Sequence, residues 1–201
     1  MSREAVRHLH AVDPVLSTII KRVGPYQTGT RTSGTHFAAL TRAIVYQQLS
    51  GKAAATILGR VHGIYGGRPP SPRQVLATDD QTLRAAGLSN QKLSYLRDLA
   101  AHVDDGRLPV ARLGRLSDAD AITALTGVKG IGRWTAQVYL MFRLDRPDVL
   151  PEGDLGIQKA IQRAYGLRKL PSPERMLKIG APWAPFRSVA SWYLWRSLDA
   201  D

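Results

Sequence analysis

Between Leu125 and Asp154 the chain carries two features whose residue types could do chemistry on a nucleic acid. The first is a glycine hairpin, Gly130-Ile131-Gly132, set between two stretches of helical pattern. Glycines tolerate the backbone angles of a very short helix-to-helix turn, and they have no side chain to hold a phosphate away from backbone N–H groups. A helix starting directly afterwards would aim its first N–H groups and the positive end of its dipole at the same spot. Val128 and Ile131 are apolar and are expected to anchor the turn in the core, while Lys129 and Arg133 add positive charge. An ordinary helical corner also uses Gly-x-Gly, so the phosphate reading rests on these flanking residues and on the charge of the whole chain. The second feature is Asp154, at the N-cap position of a helical run over 155–165. Aspartate is favoured there for structural reasons alone. The same geometry also orients a carboxylate, and an ionised carboxylate can stabilise the oxocarbenium-like sugar left when an N-glycosidic bond breaks. Glu152 and Asp148 are rivals for that role.

Composition narrows the partners. Over 201 residues, Lys and Arg outnumber Asp and Glu by 28 to 16, for a formal charge of +12. A polyanion is the expected partner, although phosphate contacts position a protein without reading sequence. There is no cysteine, which excludes disulfides, thiolate zinc sites and Cys-ligated iron–sulfur clusters. The segment 1–10 lacks a signal-peptide apolar core, and no apolar run is long enough to span a bilayer. A soluble cytoplasmic protein without a membrane role is expected, nucleoid-associated if bacterial.

The elements that must position these residues read as helices throughout. Asp13-Pro14 opens one in which Val15, Ile19 and Val23 repeat at helical spacing. The Gly/Thr-rich stretch 24–34 reads as a loop. Phe37, Leu40, Ile44 and Val45 line one face of the next helix, which ends near Gln48. Ser50, Ser71-Pro72, Asp79 and Ser89 each open a further helix, with stops at Gly87 and Gly106 for the last two. Ser117-Asp118-Ala119-Asp120 resembles a capping box with Asp in place of Glu. Helices then follow from Arg133 to about Phe142, over 155–165, from Ser172-Pro173, and over roughly 185–198. No convincing alternating strand interrupts them, so the class is all-α.

Three blocks carry a resemblance that spans about three-quarters of the chain, from Thr35 to Trp195: Arg42-Ala43-Ile44-Val45-Tyr46-Gln47-Gln48-Leu49-Ser50, Gly130-Ile131-Gly132-Arg133-Trp134-Thr135-Ala136, and Trp183-Ala184-Pro185-Phe186-Arg187-Ser188 with its continuation Trp192-Tyr193-Leu194-Trp195. They resemble the helix-hairpin-helix DNA glycosylases, and among them the DNA-3-methyladenine glycosylase II type. The resemblance implies a two-lobed helical fold with a central cleft, one lobe formed by 1–34 with 146–201 and the other by 35–145. The chain is too short before its first matching block for the N-terminal β-domain of some longer relatives. The family places its catalytic aspartate at the start of the helix after this segment, which selects Asp154 over its rivals. Members with lyase activity carry a lysine two residues beyond the hairpin's last glycine. Trp134 stands there, so a monofunctional enzyme is implied. A sodium or potassium ion held by the main-chain carbonyls of Thr126, Val128 and Ile131 is implied by position, and no cofactor is implied for catalysis.

Such enzymes act on a base flipped out of the duplex and fill the gap behind it. By position the filling residue is Gln48 with Leu49 beside it, although a polar residue ending a helix would look the same. Trp134 and Trp195, with Tyr139 and Trp192, match the family's pocket positions, and aromatic faces suit an electron-poor or cationic base. Core packing is the other reading for each of these aromatics. Val138 and Leu155 are aliphatic near positions that are aromatic in the family. No second carboxylate of the glycoside-hydrolase kind is evident, and a cationic purine needs no general acid to leave. The expected activity is therefore excision of alkylated purines such as 3-methyladenine and 7-methylguanine from damaged double-stranded DNA by a monomer, in base excision repair. The competing readings are a glycosylase for deaminated or oxidised bases and a non-enzymatic helix-hairpin-helix DNA-binding module.

Overall fold

The protein is described by a computed structural model covering residues 2–27 and 34–199. Of the loop expected over 24–34, residues 28–33 lie outside the described residues. Twelve α-helices and two short 3-10 turns, Leu113–Arg115 and Ala181–Trp183, account for the regular structure, with no strand among the described residues.

Side-chain capping starts most of these helices. Asp13 caps α2 (Pro14–Val23), Thr35 caps α3 (His36–Tyr46), Ser50 caps α4 (Gly51–Ile64) and Ser71 caps α5 (Pro72–Ala77). Asp79 caps α6 (Asp80–Ala85), Ser89 caps α7 (Asn90–Asp104) and Ser117 caps α8 (Asp118–Thr126). Asp154 caps α10 (Leu155–Ala164) and Ser172 caps α11 (Pro173–Ile179). In each case a side-chain oxygen accepts an otherwise unpaired first-turn N–H. The reciprocal capping box belongs to Ser71 and Gln74. At Ser117 the shorter aspartate accepts from the Ser117 hydroxyl at 2.7 Å. Helix α1 (Ser2–Val12) occupies a segment whose mixed composition does not announce it.

The chain divides into two compact units, 1–31 with 140–201 and 32–139. The second division falls inside α9 (Arg133–Arg143). In the 32–139 unit, α7 packs against α3, α5 and α6, and α3 packs against α4. Phe37, Leu40, Ile44 and Val45 are all buried, as their spacing predicts. In the other unit, α12 (Arg187–Asp199) packs against α1, α2 and α10. Its core gathers Leu9, Leu16, Ile20, Ile157, Ile161, Trp183 and Tyr193.

Among the described residues, no helix is long and apolar enough to cross a membrane.

Candidate nucleic-acid interface and candidate active site

The hairpin lies in the 32–139 unit, between the end of α8 at Thr126 and the start of α9 at Arg133. The carbonyl of Gly132 accepts the Ala136 N–H at 3.0 Å, so α9 begins its hydrogen bonding at the glycine itself. Val128 and Ile131 are buried, while Lys129, Gly132, Arg133 and Trp134 are exposed, Trp134 at 47%. The two glycines differ in kind. Gly130 has φ +79°, and a Cβ there would lie 2.1 Å from the Tyr95 ring. Its missing side chain is therefore required by the left-handed backbone and by Tyr95, and the Cβ side of Gly130 offers no room to a phosphate. Gly132 has nothing within 4 Å of the Cβ position and leaves the outer face open. The Lys129 N–H donates to Asp98 Oδ2 at 2.8 Å, and Gln47 Nε2 donates to the Gly130 carbonyl at 2.8 Å, so the turn is fixed from two sides.

The turn after α3 presents the residues expected to fill a gap in a duplex. Gln48 and Leu49 are both exposed, Leu49 at 39%. Gln48 has φ 56°, a left-handed conformation that costs a non-glycine residue roughly 1–2 kcal/mol. Arg42 lays its guanidinium 3.9 Å from the centroid of the Tyr46 ring on the same helix.

Asp154 belongs to the other unit and is 8% exposed. Its Oδ1 accepts the Ile157 N–H at 2.7 Å and the Trp195 indole N–H at 2.9 Å. Trp195 is in turn stacked on Phe142, with centroids 5.8 Å apart and 27° between planes. A Cβ on Gly156 would lie 3.0 Å from Asp154 Oδ1 and 3.2 Å from Trp195 Cδ1, so glycine is the residue that lets carboxylate and indole meet. Leu155 beside them is 53% exposed. The arrangement holds one carboxylate oxygen in a defined place.

Asp13 is a second capping aspartate in the same unit. It is also a buried N-cap, with Oδ1 accepting the Leu16 N–H at 2.9 Å. Its Oδ2 accepts from the Tyr165 hydroxyl at 2.5 Å and the Trp183 indole N–H at 2.8 Å. Burial, reinforced by the hydrogen bond to Asp13 and its charge, pushes the Tyr165 phenol well above its ordinary range, so it remains a donor. Trp183 is fully buried, and both oxygens of Asp13 are committed to protein donors.

The rival Asp148 is likewise committed. Arg187 forks onto it through Nε and Nη2, both at 2.7 Å, and the Arg187 backbone N–H donates at 3.2 Å. Burial raises the Asp148 pKa, but the Arg187 hydrogen bonds and charge outweigh it and hold the carboxyl below its ordinary value. Ser188 ties the same stretch: its hydroxyl donates to the Arg146 carbonyl at 2.6 Å and accepts the Val149 N–H at 2.9 Å. The third sequence block is thus a clamp, anchoring the turns ahead of Asp154 through Arg187 and Ser188 and anchoring Asp13 through Trp183. None of these roles, nor that of Phe142, was assigned from the sequence. The nearest signal was the co-occurrence of Asp148 and Arg187, which are too far apart in sequence to be paired by spacing.

Two expected pocket residues are largely buried. Trp192 belongs to the core, edge-on to Tyr26 and Tyr193, each at a centroid distance of 4.9 Å. Tyr139 is 6% exposed, and its hydroxyl meets His36 Nδ1 at 2.5 Å.

Two helices joined through a short Gly-Ile-Gly turn, in an otherwise all-helical chain, have the form of a helix-hairpin-helix protein. Its place within that class is specific: the family model described as HhH-GPD superfamily base excision DNA repair protein matches residues 41–185, and the chain belongs to this superfamily. It is 36% identical over 193 residues to DNA-3-methyladenine glycosylase 1 of Schizosaccharomyces pombe, covering 94% of this chain and 85% of that protein. The solved structure of a 3-methyladenine DNA glycosylase from that yeast in complex with abasic DNA superposes with a TM-score of 0.84 at 36% identity, covering 96% of this chain and 95% of the other. A DNA-3-methyladenine glycosidase from Bacillus halodurans gives a TM-score of 0.85 at 39% identity, covering 95% and 87%.

Proposed function

We propose that this protein is a monofunctional DNA glycosylase that flips alkylated purines out of duplex DNA and hydrolyses their N-glycosidic bond. The observation that carries the reading is Asp154, a buried carboxylate with Oδ1 held by Ile157 and Trp195, in a chain whose relatives are named 3-methyladenine glycosylases.

The chemistry follows from the charge on the base. A purine alkylated at N3 or N7 is cationic, so the C–N electron pair leaves with it and neutralises it. Positive charge then develops on the sugar, where an oriented anion stabilises it more than in the ground state. Water adds to the sugar carbon and loses a proton, leaving an abasic site and the free base. Gln48 and Leu49 would fill the vacated stack, and Trp134 and Trp195 would supply aromatic surface to the extruded base. The open face of Gly132 and the start of α9, with Lys129 and Arg133, would grip a phosphate. The carbonyls of Thr126, Val128 and Ile131 are neutral oxygens at a helix end and turn, a donor set suited to sodium or potassium. Such an ion would add positive charge where a phosphate docks. With Trp134 at the position where lyase-active members carry an amine, the enzyme would act without a Schiff base and as a monomer.

The test is single-turnover release of 7-methylguanine and 3-methyladenine from methylated duplex, against uracil and oxidised purines under the same conditions. The alkylated bases should leave fastest. Asp154→Asn should lower release about 100- to 1,000-fold while duplex binding stays near wild type. Preferred release of uracil, or an Asp154→Asn enzyme at wild-type rate, would overturn the reading. Borohydride should trap no enzyme–DNA adduct, and a stable adduct would refute the monofunctional assignment.

A further inference from the structure

Lys92 stands in the first turn of α7, where the helix dipole disfavours a cation. Its ammonium reaches across to the end of α3, donating to the Val45 carbonyl at 2.6 Å and the Gln47 carbonyl at 2.7 Å. It is partly withdrawn from water, and burial draws its pKa below the ordinary lysine value. The Gln47 carbonyl belongs to the peptide plane that joins Gln47 to Gln48. The strained torsion, φ 56° at Gln48, turns about the bond immediately beyond that plane. A charged donor that fixes the plane therefore fixes the direction in which Gln48 and Leu49 leave the helix. The Gln47 side chain completes the link by donating to the Gly130 carbonyl at 2.8 Å, inside the hairpin. One residue pair thus joins the end of α3 to a turn more than eighty positions away in sequence.

We propose that Lys92 and Gln47 are positioning residues that hold the Gln48–Leu49 turn in its left-handed conformation and at a set distance from the hairpin, so that gap filling and phosphate grip act as one rigid part. The inference rests on the reading of that turn as the element that enters the DNA stack. It assigns Lys92 no contact with the base or the sugar. Its effect is on how often the turn is ready when a duplex is bound.

The experiment uses the full chain with Lys92→Met, Lys92→Arg and Gln47→Leu. The first probe is a duplex with 2-aminopurine beside a stable abasic analogue, whose fluorescence reports entry of the turn and does not depend on catalysis. Lys92→Met and Gln47→Leu should lose most of the fluorescence rise and release 7-methylguanine roughly tenfold more slowly from paired duplex, as expected when a catalytic constellation is misplaced. Undamaged duplex should still bind Lys92→Met within about twofold, because Lys92 is bonded to the end of α3 and not to the hairpin. Release from a lesion placed in a single-stranded bulge, where no gap needs filling, should recover to near the wild-type rate, and Lys92→Arg should retain most of the signal. Equal loss on paired and bulged substrates, or a full fluorescence rise in Lys92→Met, would overturn the proposal. If Lys92→Met does not fold by circular dichroism, Gln47→Leu carries the same comparison. A wild-type protein that gives the fluorescence rise but releases no base would defeat the glycosylase reading and leave this one standing.

Discussion

Trp195→Phe isolates the contribution of a single hydrogen bond to the proposed reaction. The substitution keeps an aromatic ring against Phe142 and removes the indole N–H that donates to Asp154 Oδ1 at 2.9 Å. The Ile157 N–H, at 2.7 Å, remains. A hydrogen bond to a charged acceptor is worth about 1.5–3 kcal/mol, and Asp154 at 8% exposure has little water to replace the donor. Two consequences share that energy. A buried carboxylate with one donor fewer destabilises the fold, and a carboxylate that swings from its place stabilises the transition state less. If all of it appeared in the rate, release would fall about 10- to 150-fold, since 1.4 kcal/mol is a factor of ten. A measured loss of about tenfold to fiftyfold is expected, with abasic-site binding little changed. The assay is single-turnover release of 7-methylguanine below the melting transition of the variant, with thermal melts alongside. Gly156→Ala provides the complement. Alanine favours a helix over glycine by roughly 1 kcal/mol, yet its methyl would press Asp154 and Trp195 apart by a few tenths of an ångström. Activity should fall with no matching loss of stability. Wild-type rates in both variants would refute the claim that Trp195 holds the carboxylate in its working position.

Two further outcomes follow from the geometry. Gly132→Ala should fold as wild type and weaken duplex binding, whereas Gly130→Ala should lower the melting temperature sharply, because its methyl would overlap the Tyr95 ring; equal effects on stability would contradict the assignment of the open face to Gly132. For Asp148, a pKa below its ordinary value means the folded state favours the ionised form. Its contribution is complete above the unfolded-state value of about 3.9 and is lost as pH falls through the lower folded-state value. The gap in melting temperature between wild type and Asp148→Asn should thus be constant from neutral pH to about pH 5 and should close only in more acidic solution; a gap that closes near neutrality would refute the Arg187 pairing.

The sequence by itself determined the helical class, the caps of most helices, the hairpin and the position of Asp154. Each of those depends on residues within a few positions of one another: a serine or aspartate ahead of an apolar period, or a glycine pair between two such periods. The tertiary structure decided what each local motif is for. Asp13 and Asp154 are both N-caps in the sequence and both are buried in the fold, and only packing sets the distant donors each meets, Tyr165 and Trp183 for the first and Trp195 for the second. Trp192 and Trp195 lie three positions apart on one helix, yet their rotation about its axis sends the first into the core and the second to the carboxylate. Gly130 and Gly132 look alike in the chain, and a tyrosine from another helix makes them different. Arg187, Ser188 and Lys92 were invisible as positioning groups because each acts on a backbone or side chain dozens of residues away. Local pattern encodes conformation through short-range sterics and hydrogen bonds, whereas a site is made of long-range contacts that exist only after the chain has folded.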